Sequence, residues 1–163
     1  MNKYVLVCHC LLDPLTRAQG TKKISRDIIT VLIDNDMSIV QLPCPELKYG
    51  FSRPPCNKED YDTPEYRSHC RDCAREVYTL LKRYHDFNVV GLISIGGSPS
   101  CGAQRTHRQG RHVKEPGIFT EELQTILQEK GMTLNIVDHD LLEDTAALTR
   151  FLSGQPEGPH KYR

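Results

Sequence analysis

"NVVGLISIGGSPSCG", residues 88–102, decides how this chain is read. Its first eight residues are nearly all apolar and rich in Val and Ile, the pattern of a strand buried on both faces. Two glycines, two serines and a proline follow at once, and among them sits Cys101. A Gly/Ser loop at a strand end brings backbone N–H groups toward a ligand. The cysteine adds a possible thiolate, either a nucleophile or a metal ligand.

Outward from this strand, helical and extended patterns alternate. Residues 3–10, "KYVLVCHC", read as a buried first strand with Cys8 inside it. Residues 25–36 carry Ile28, Ile29, Leu32 and Ile33 at helical spacing behind a Ser25 cap. A second strand, 37–43, is stopped by proline, and 44–63 have neither period and read as one long loop. Then come a helix over 64–85, the strand 88–95, an irregular region 96–115, a helix 116–131, a strand 132–139 and a closing helix 142–154. Strands alternating with helices predict right-handed crossovers and a parallel sheet. The expected fold is α/β, a three-layer α/β/α arrangement with a small, mainly parallel sheet, flavodoxin-like or half-Rossmann. One domain over 1–154 and a mobile tail over 155–163 are expected.

Composition narrows the function. The 163 residues carry 21 basic and 21 acidic side chains, so no global field favours nucleic acid or a membrane surface. The N-terminus lacks the pattern of a signal peptide, and no run has the length of a membrane span. A cytoplasmic protein is expected. Seven cysteines, an odd number, then point to metal or catalysis more than to disulfides. In a parallel sheet, ligands bind beyond the carboxyl ends of the strands. Cys10, Cys44 and Cys101 each fall just past such an end, so the fold should bring them together. Three thiolates there could hold an iron–sulfur cluster with one iron left open, or a zinc ion; alternatively Cys101 alone could be a nucleophile, with His9 or His107 as base.

The ordered trio "CHCLLD", "CPE" and "SPSCG" resembles the 2-thiouracil desulfurase family. The resemblance spans roughly the first 105 residues, and the α/β order beyond is compatible. It implies a [4Fe-4S] cluster bound by three cysteines, here Cys10, Cys44 and Cys101, with the fourth iron open to substrate or sulfide. The implied reaction is non-redox C–S cleavage of a thiolated pyrimidine (2-thiouracil, thiouridine or thiolated tRNA), with sulfide taken up by the open iron. This chain departs from the family after "CLL", where Gly and "RYDG" are usual and "DPLTRAQG" stands instead. The changes fall where substrate should touch the protein.

Around the three cysteines, Glu46 is the first candidate for proton transfer, because burial beside such a centre would raise its pKa. Ser98 and Ser100 follow as hydrogen-bonding groups, with turn stabilisation as the plainer role. Gly96, Gly97 and Gly102 would let the backbone come close. Asp13, Arg17 and Arg53 lie in the cysteine-bearing loops and are candidates for substrate contact. Cys70 and Cys73, with His69 and Cys56 near, have metal-pair spacing, but two ordinary helix cysteines are the preferred reading. The basic run 104–114 could meet phosphates, a solvated and mobile loop being the commoner outcome. A non-catalytic iron–sulfur or zinc protein, for sulfide transfer or metal sensing, is the alternative to an enzyme.

Overall fold

A computed structural model of the chain describes residues 2–50 and 57–154. Strand β1 (Lys3–Val7) is apolar from Tyr4 onward and fully buried there. It pairs in parallel with β2 (Ser38–Gln41) on one side and β3 (Asn88–Ser94) on the other. A helical turn α1 (His9–Leu12) follows β1, helix α2 (Asp27–Asp34) leads into β2, and α3 (Pro45–Tyr49) follows it. Next come α4 (Lys58–Tyr61) and the 20-residue α5 (Pro64–Arg83). Thr63 caps α5 by accepting from the Tyr66 amide, and Pro64 occupies the first turn, where its missing N–H costs nothing. Tyr66, Cys70, Cys73, Ala74, Val77 and Leu81 form its buried stripe.

After β3 a short antiparallel hairpin intervenes, β4 (Thr106–Arg108) with β5 (Arg111–Val113). Helix α6 (Ile118–Glu129) returns the chain to β6 (Ile136–Asp138), which pairs in parallel with β3. A 3-10 turn, His139–Glu143, and α7 (Thr145–Leu152) close the described chain. The sheet order is β2-β1-β3-β6, all parallel. Because the order reverses direction at β1, right-handed crossovers send α2 to one face and α5 and α6 to the other. Packing agrees: α5 lies on α6, while α7 meets β3 and α2 approaches the turn after β6. This is the three-layer α/β/α fold with the flavodoxin-like strand order, whose switch point lies between β1 and β3.

Four local expectations are corrected. Cys8 is not within a strand; β1 ends at Val7, and Cys8 turns the chain into α1. Residues 44–63 are not one loop, since two helices of four or five residues stand in the part described, too short to display a period. The basic segment is not a loose loop but a docked hairpin. Its turn amides at Gln109 and Gly110 donate to Glu59 Oε1 and Asn57 Oδ1 at 2.7 and 2.9 Å. The strand read over 132–139 is three residues long. Arg53, Cys56 and the expected tail 155–163 lie outside the described residues.

A buried ionic clamp ties these additions to the layers. Lys58, 2% exposed, donates to the Pro116 carbonyl at 2.8 Å, pairs with Glu121 and lies 3.5 Å from Glu115. Arg67 joins Asp62 at 2.6 Å and Glu121 at 2.9 Å.

Candidate functional site

The carboxyl ends of β1, β2 and β3 bring Cys10, Cys44 and Cys101 to one corner. Cys10 sits on α1, Cys44 caps α3, and Cys101 lies in the loop after β3. All three are partly buried and none is in a disulfide. Burial first, then the thiols of Cys8 and Cys44, push Cys10 up to about 12, against a lowering by Arg17, which also hydrogen-bonds it. Cys101 is held well above the usual thiol range by a hydrogen bond with Cys8, then by burial, then by Cys8, Cys44 and Cys10 as neighbours. Four thiols therefore share this corner, and Cys8 is the one that sequence reading assigned to the core. Its neighbour "HC" at positions 9 and 10 was the available signal, two thiols flanking a strand end.

The loop that carries Cys101 is fixed from below by Asp138, fully buried at the end of β6. Asp138 Oδ1 accepts from Ser94 Oγ at 2.8 Å and from the Ala103 amide at 2.7 Å, and Oδ2 accepts from the Gln104 amide at 3.0 Å. Gln104 completes the joint by accepting from the Asp138 amide and donating to the Ile136 carbonyl, each at 2.8 Å. Nothing in the sequence marks this role, because every partner is over thirty residues away. Gly102 is required by close approach: a Cβ there would collide with the Arg105 carbonyl.

Ser98 and Ser100 part company. Ser98 Oγ accepts from the Cys101 amide at 3.0 Å, a turn contact that positions the thiol. Ser100, fully buried, donates to Glu46 Oε1 at 3.2 Å and lies 2.6 Å from the Tyr66 hydroxyl. Once Ser100 gives its one hydrogen to Glu46 Oε1, Tyr66 must be the donor to Ser100. Burial, first, drives the Tyr66 phenol far above its ordinary range, so that donor keeps its proton. Tyr66 was not anticipated from sequence.

Other candidates are engaged elsewhere. Asp13 Oδ1 accepts from the Leu15 amide at 3.2 Å and its Oδ2 is 3.4 Å from His9 Nε2. His107 turns its Nδ1 to the Gly97 carbonyl at 3.3 Å and stacks near His112, with ring centroids 4.1 Å apart. The Cys101–His dyad is thus not formed with either ring. Arg17 donates from Nη2 to the Lys22 carbonyl at 3.2 Å and holds the Cys10 thiol. Cys70 and Cys73 are buried in the α5 stripe, and His69 Nε2 lies 2.9 Å from the Pro45 carbonyl and 3.6 Å from Cys73 Sγ. In the basic run, Arg105 pairs with Asp140 at 2.5 Å and Arg108 with Glu115 at 2.8 Å, which leaves less charge for phosphates.

Among the described residues, no three His, Cys, Asp or Glu side chains are arranged to hold a single metal ion. The donor set nevertheless suits a thiolate-bound cluster. The three cysteines come from three separate strand ends. Burial and neighbouring thiols raise the pKa of Cys10, and a hydrogen bond with Cys8, burial and neighbouring thiols raise that of Cys101, a penalty on the thiolates that a cationic centre would reverse. Backbone N–H groups stand beside them, the Leu47 amide donating to Cys44 Sγ at 3.5 Å.

Fold and site together define a class: a flavodoxin-like α/β domain with a thiol-rich corner at its switch point. No family model matches the chain. It is 29% identical over 137 residues to an uncharacterized protein of Methanocaldococcus jannaschii, covering 83% of this chain and 80% of that one. Among solved structures it is similar to a [4Fe-4S]-dependent thiouracil desulfidase, TudS, with a TM-score of 0.61 at 21% identity, over 90% of this chain and 98% of the other. The chain shares the fold of that enzyme, the fold that the motif resemblance implies. No helix among the described residues is long and apolar enough to cross a membrane.

Proposed function

We propose that this chain is a [4Fe-4S]-dependent desulfurase that converts the C=S group of a thiolated pyrimidine to C=O. The observation that carries the reading is the meeting of Cys10, Cys44 and Cys101 beside the hydrogen-bonded Ser100–Glu46 pair. Cys10, Cys44 and Cys101 would hold the cluster, which when bound supplies an open Lewis-acidic iron for the departing sulfur. The balance is C=S plus water giving C=O plus hydrogen sulfide, with no change of oxidation state.

The chain's own groups handle water and protons. Glu46, half-buried beside the corner, takes the proton from the attacking water and returns it to the departing sulfur. Ser100 keeps Glu46 pointed by donating to Oε1, and Tyr66 fixes the direction of the Ser100 hydroxyl. Ser98 orients the Cys101 loop. The fold of the desulfidase neighbour supports the same class of reaction, with a small thiolated base or nucleoside as substrate. A single domain over 1–154, at work in the reducing cytoplasm, suits the free thiols.

Preparation without oxygen tests this. About four iron and four acid-labile sulfide per chain are expected, with sulfide released from 2-thiouracil or 4-thiouridine. A colourless protein loaded with zinc overturns the cofactor. An iron-loaded protein that releases no sulfide from either compound, nor from thiolated tRNA, overturns the enzyme and leaves a carrier.

A further inference from the structure

We propose that Arg17, His139 and Asp140 form the wall that reads the substrate's ring edge, accepting a heterocycle that presents an N–H donor beside a carbonyl. This rests on the desulfurase reading above and says which face of the base the protein recognises.

Two buried side-chain polar atoms among the described residues have no hydrogen-bond partner, Arg17 Nε and Asp140 Oδ1. One is a donor and the other an acceptor, and both belong to segments just past strand ends, after β1 and after β6. Unmet polar atoms in a folded protein are rare and point to a missing partner. Neither side chain is loose. Arg17 is held by the Lys22 carbonyl and the Cys10 thiol. Asp140 is held through Oδ2 by Arg105 at 2.5 Å, and its Oδ1 lies with the Arg105 guanidinium against Gly96, where a Cβ would stand 2.8 Å from Oδ1. The loop after β3 is therefore the floor under Asp140.

His139 links the two. The Gly96 amide donates to His139 Nδ1 at 3.2 Å, so Nδ1 is the acceptor nitrogen and Nε2 carries the hydrogen. Burial, with Arg105 and Arg17 close by, keeps the ring neutral against the pull of Asp140 and Asp138. Arg17 stands beside Cys10, its charge is felt at His139, and His139 adjoins Asp140, so two N–H donors and one carboxylate acceptor line this side of the corner. A pyrimidinedione edge offers the complement: N3–H for Asp140 Oδ1 and a ring carbonyl for Arg17 Nε or His139 Nε2. Because N3–H lies between C2 and C4, either position can carry the sulfur while the other is read.

Binding of sulfur-free bases to the oxygen-free holoprotein tests the wall without turnover. By calorimetry, uracil should bind at least tenfold tighter than 3-methyluracil, which lacks the donor, and tighter than cytosine, whose N3 is an acceptor. Asp140→Asn keeps its oxygen on Arg105 and turns an N–H toward the ring, so the preference for uracil over cytosine should fall at least tenfold, with iron content unchanged. Arg17→Met, needed if Asp140→Asn melts early, should weaken uracil by a similar factor. The proposal is overturned if wild-type protein binds uracil no better than 3-methyluracil, or if either folded variant keeps the wild-type pattern. Failure of the desulfurase reading looks different: uracil binds with the expected selectivity, yet thiouracil yields no sulfide.

Discussion

Two groups of cysteines in this molecule differ in burial and in surroundings, Cys70 and Cys73 being fully buried and Cys10, Cys44 and Cys101 partly so. Cys70 and Cys73 lie on the inward stripe of α5, three residues apart, packed among Tyr66, Ala74 and Val77. Cys10, Cys44 and Cys101 are separated by 34 and 57 residues and meet past the ends of three strands. Spacing alone favours the first group as a metal pair. Topology favours the second, because a parallel sheet sends every strand end to one edge. Short spacing on a helix says only that two side chains share a face, and here that face is the core.

The largest effect separates the two groups directly. Replacing Cys10, Cys44 or Cys101 by Ala should abolish stable iron binding, measured as iron and acid-labile sulfide after anaerobic purification. Cys70→Ala and Cys73→Ala should keep full iron and lose about 1 kcal/mol of stability each, a small core cavity. Full iron in all three of the first variants would break the comparison.

Next in size is the proton path beside the corner. Glu46→Gln should lower kcat roughly 10²- to 10⁴-fold at unchanged iron content. Tyr66→Phe leaves the Ser100 oxygen without its buried donor and should cost about 1 kcal/mol of stability, with a smaller loss of rate. Normal turnover by Glu46→Gln would end its role.

A third effect concerns what holds the Cys101 loop. Asp138→Ala strands the buried Ala103 amide and the half-buried Gln104 amide and should cost about 2–4 kcal/mol by urea denaturation. The iron should also leave the protein faster. Loss of stability without faster iron release would mean that Asp138 supports the sheet and not the corner.

What sequence made legible follows from the range of each cause. The β1 and β3 runs are strands because their own residues are apolar and branched, and the three cysteines are found by counting past strand ends. The helices at Pro45–Tyr49 and Lys58–Tyr61 carry barely a turn of pattern. The hairpin hides because its strands are built of Thr, His and Arg, although Gln109 and Gly110, with φ of 50° and 73°, form the left-handed pair that hairpin turns favour. Asp138, Tyr66, His139 and Asp140 gain their roles from partners more than thirty residues away, which no local window contains.

The smallest effect sets the thiol corner against the ionic clamp on the far side of the hairpin. Hydrogen bonding to Arg67 lowers the Asp62 pKa, and hydrogen bonding to Arg108 lowers that of Glu115. A carboxylate whose folded pKa lies below its unfolded value adds stability above the unfolded value, and the gain disappears as pH falls through the folded one. Urea midpoints should therefore hold from pH 7 to about 5 and decline below about pH 4. Unlike Lys58, these two pairs are partly exposed, so about 0.5 kcal/mol apiece is expected, less in high salt. Arg108→Gln should flatten part of this acid limb while the pH at which iron is lost stays fixed, because the clamp and the thiols share no ligand. If Arg108→Gln moves both together, the two regions are one cooperative unit and the contrast between them fails.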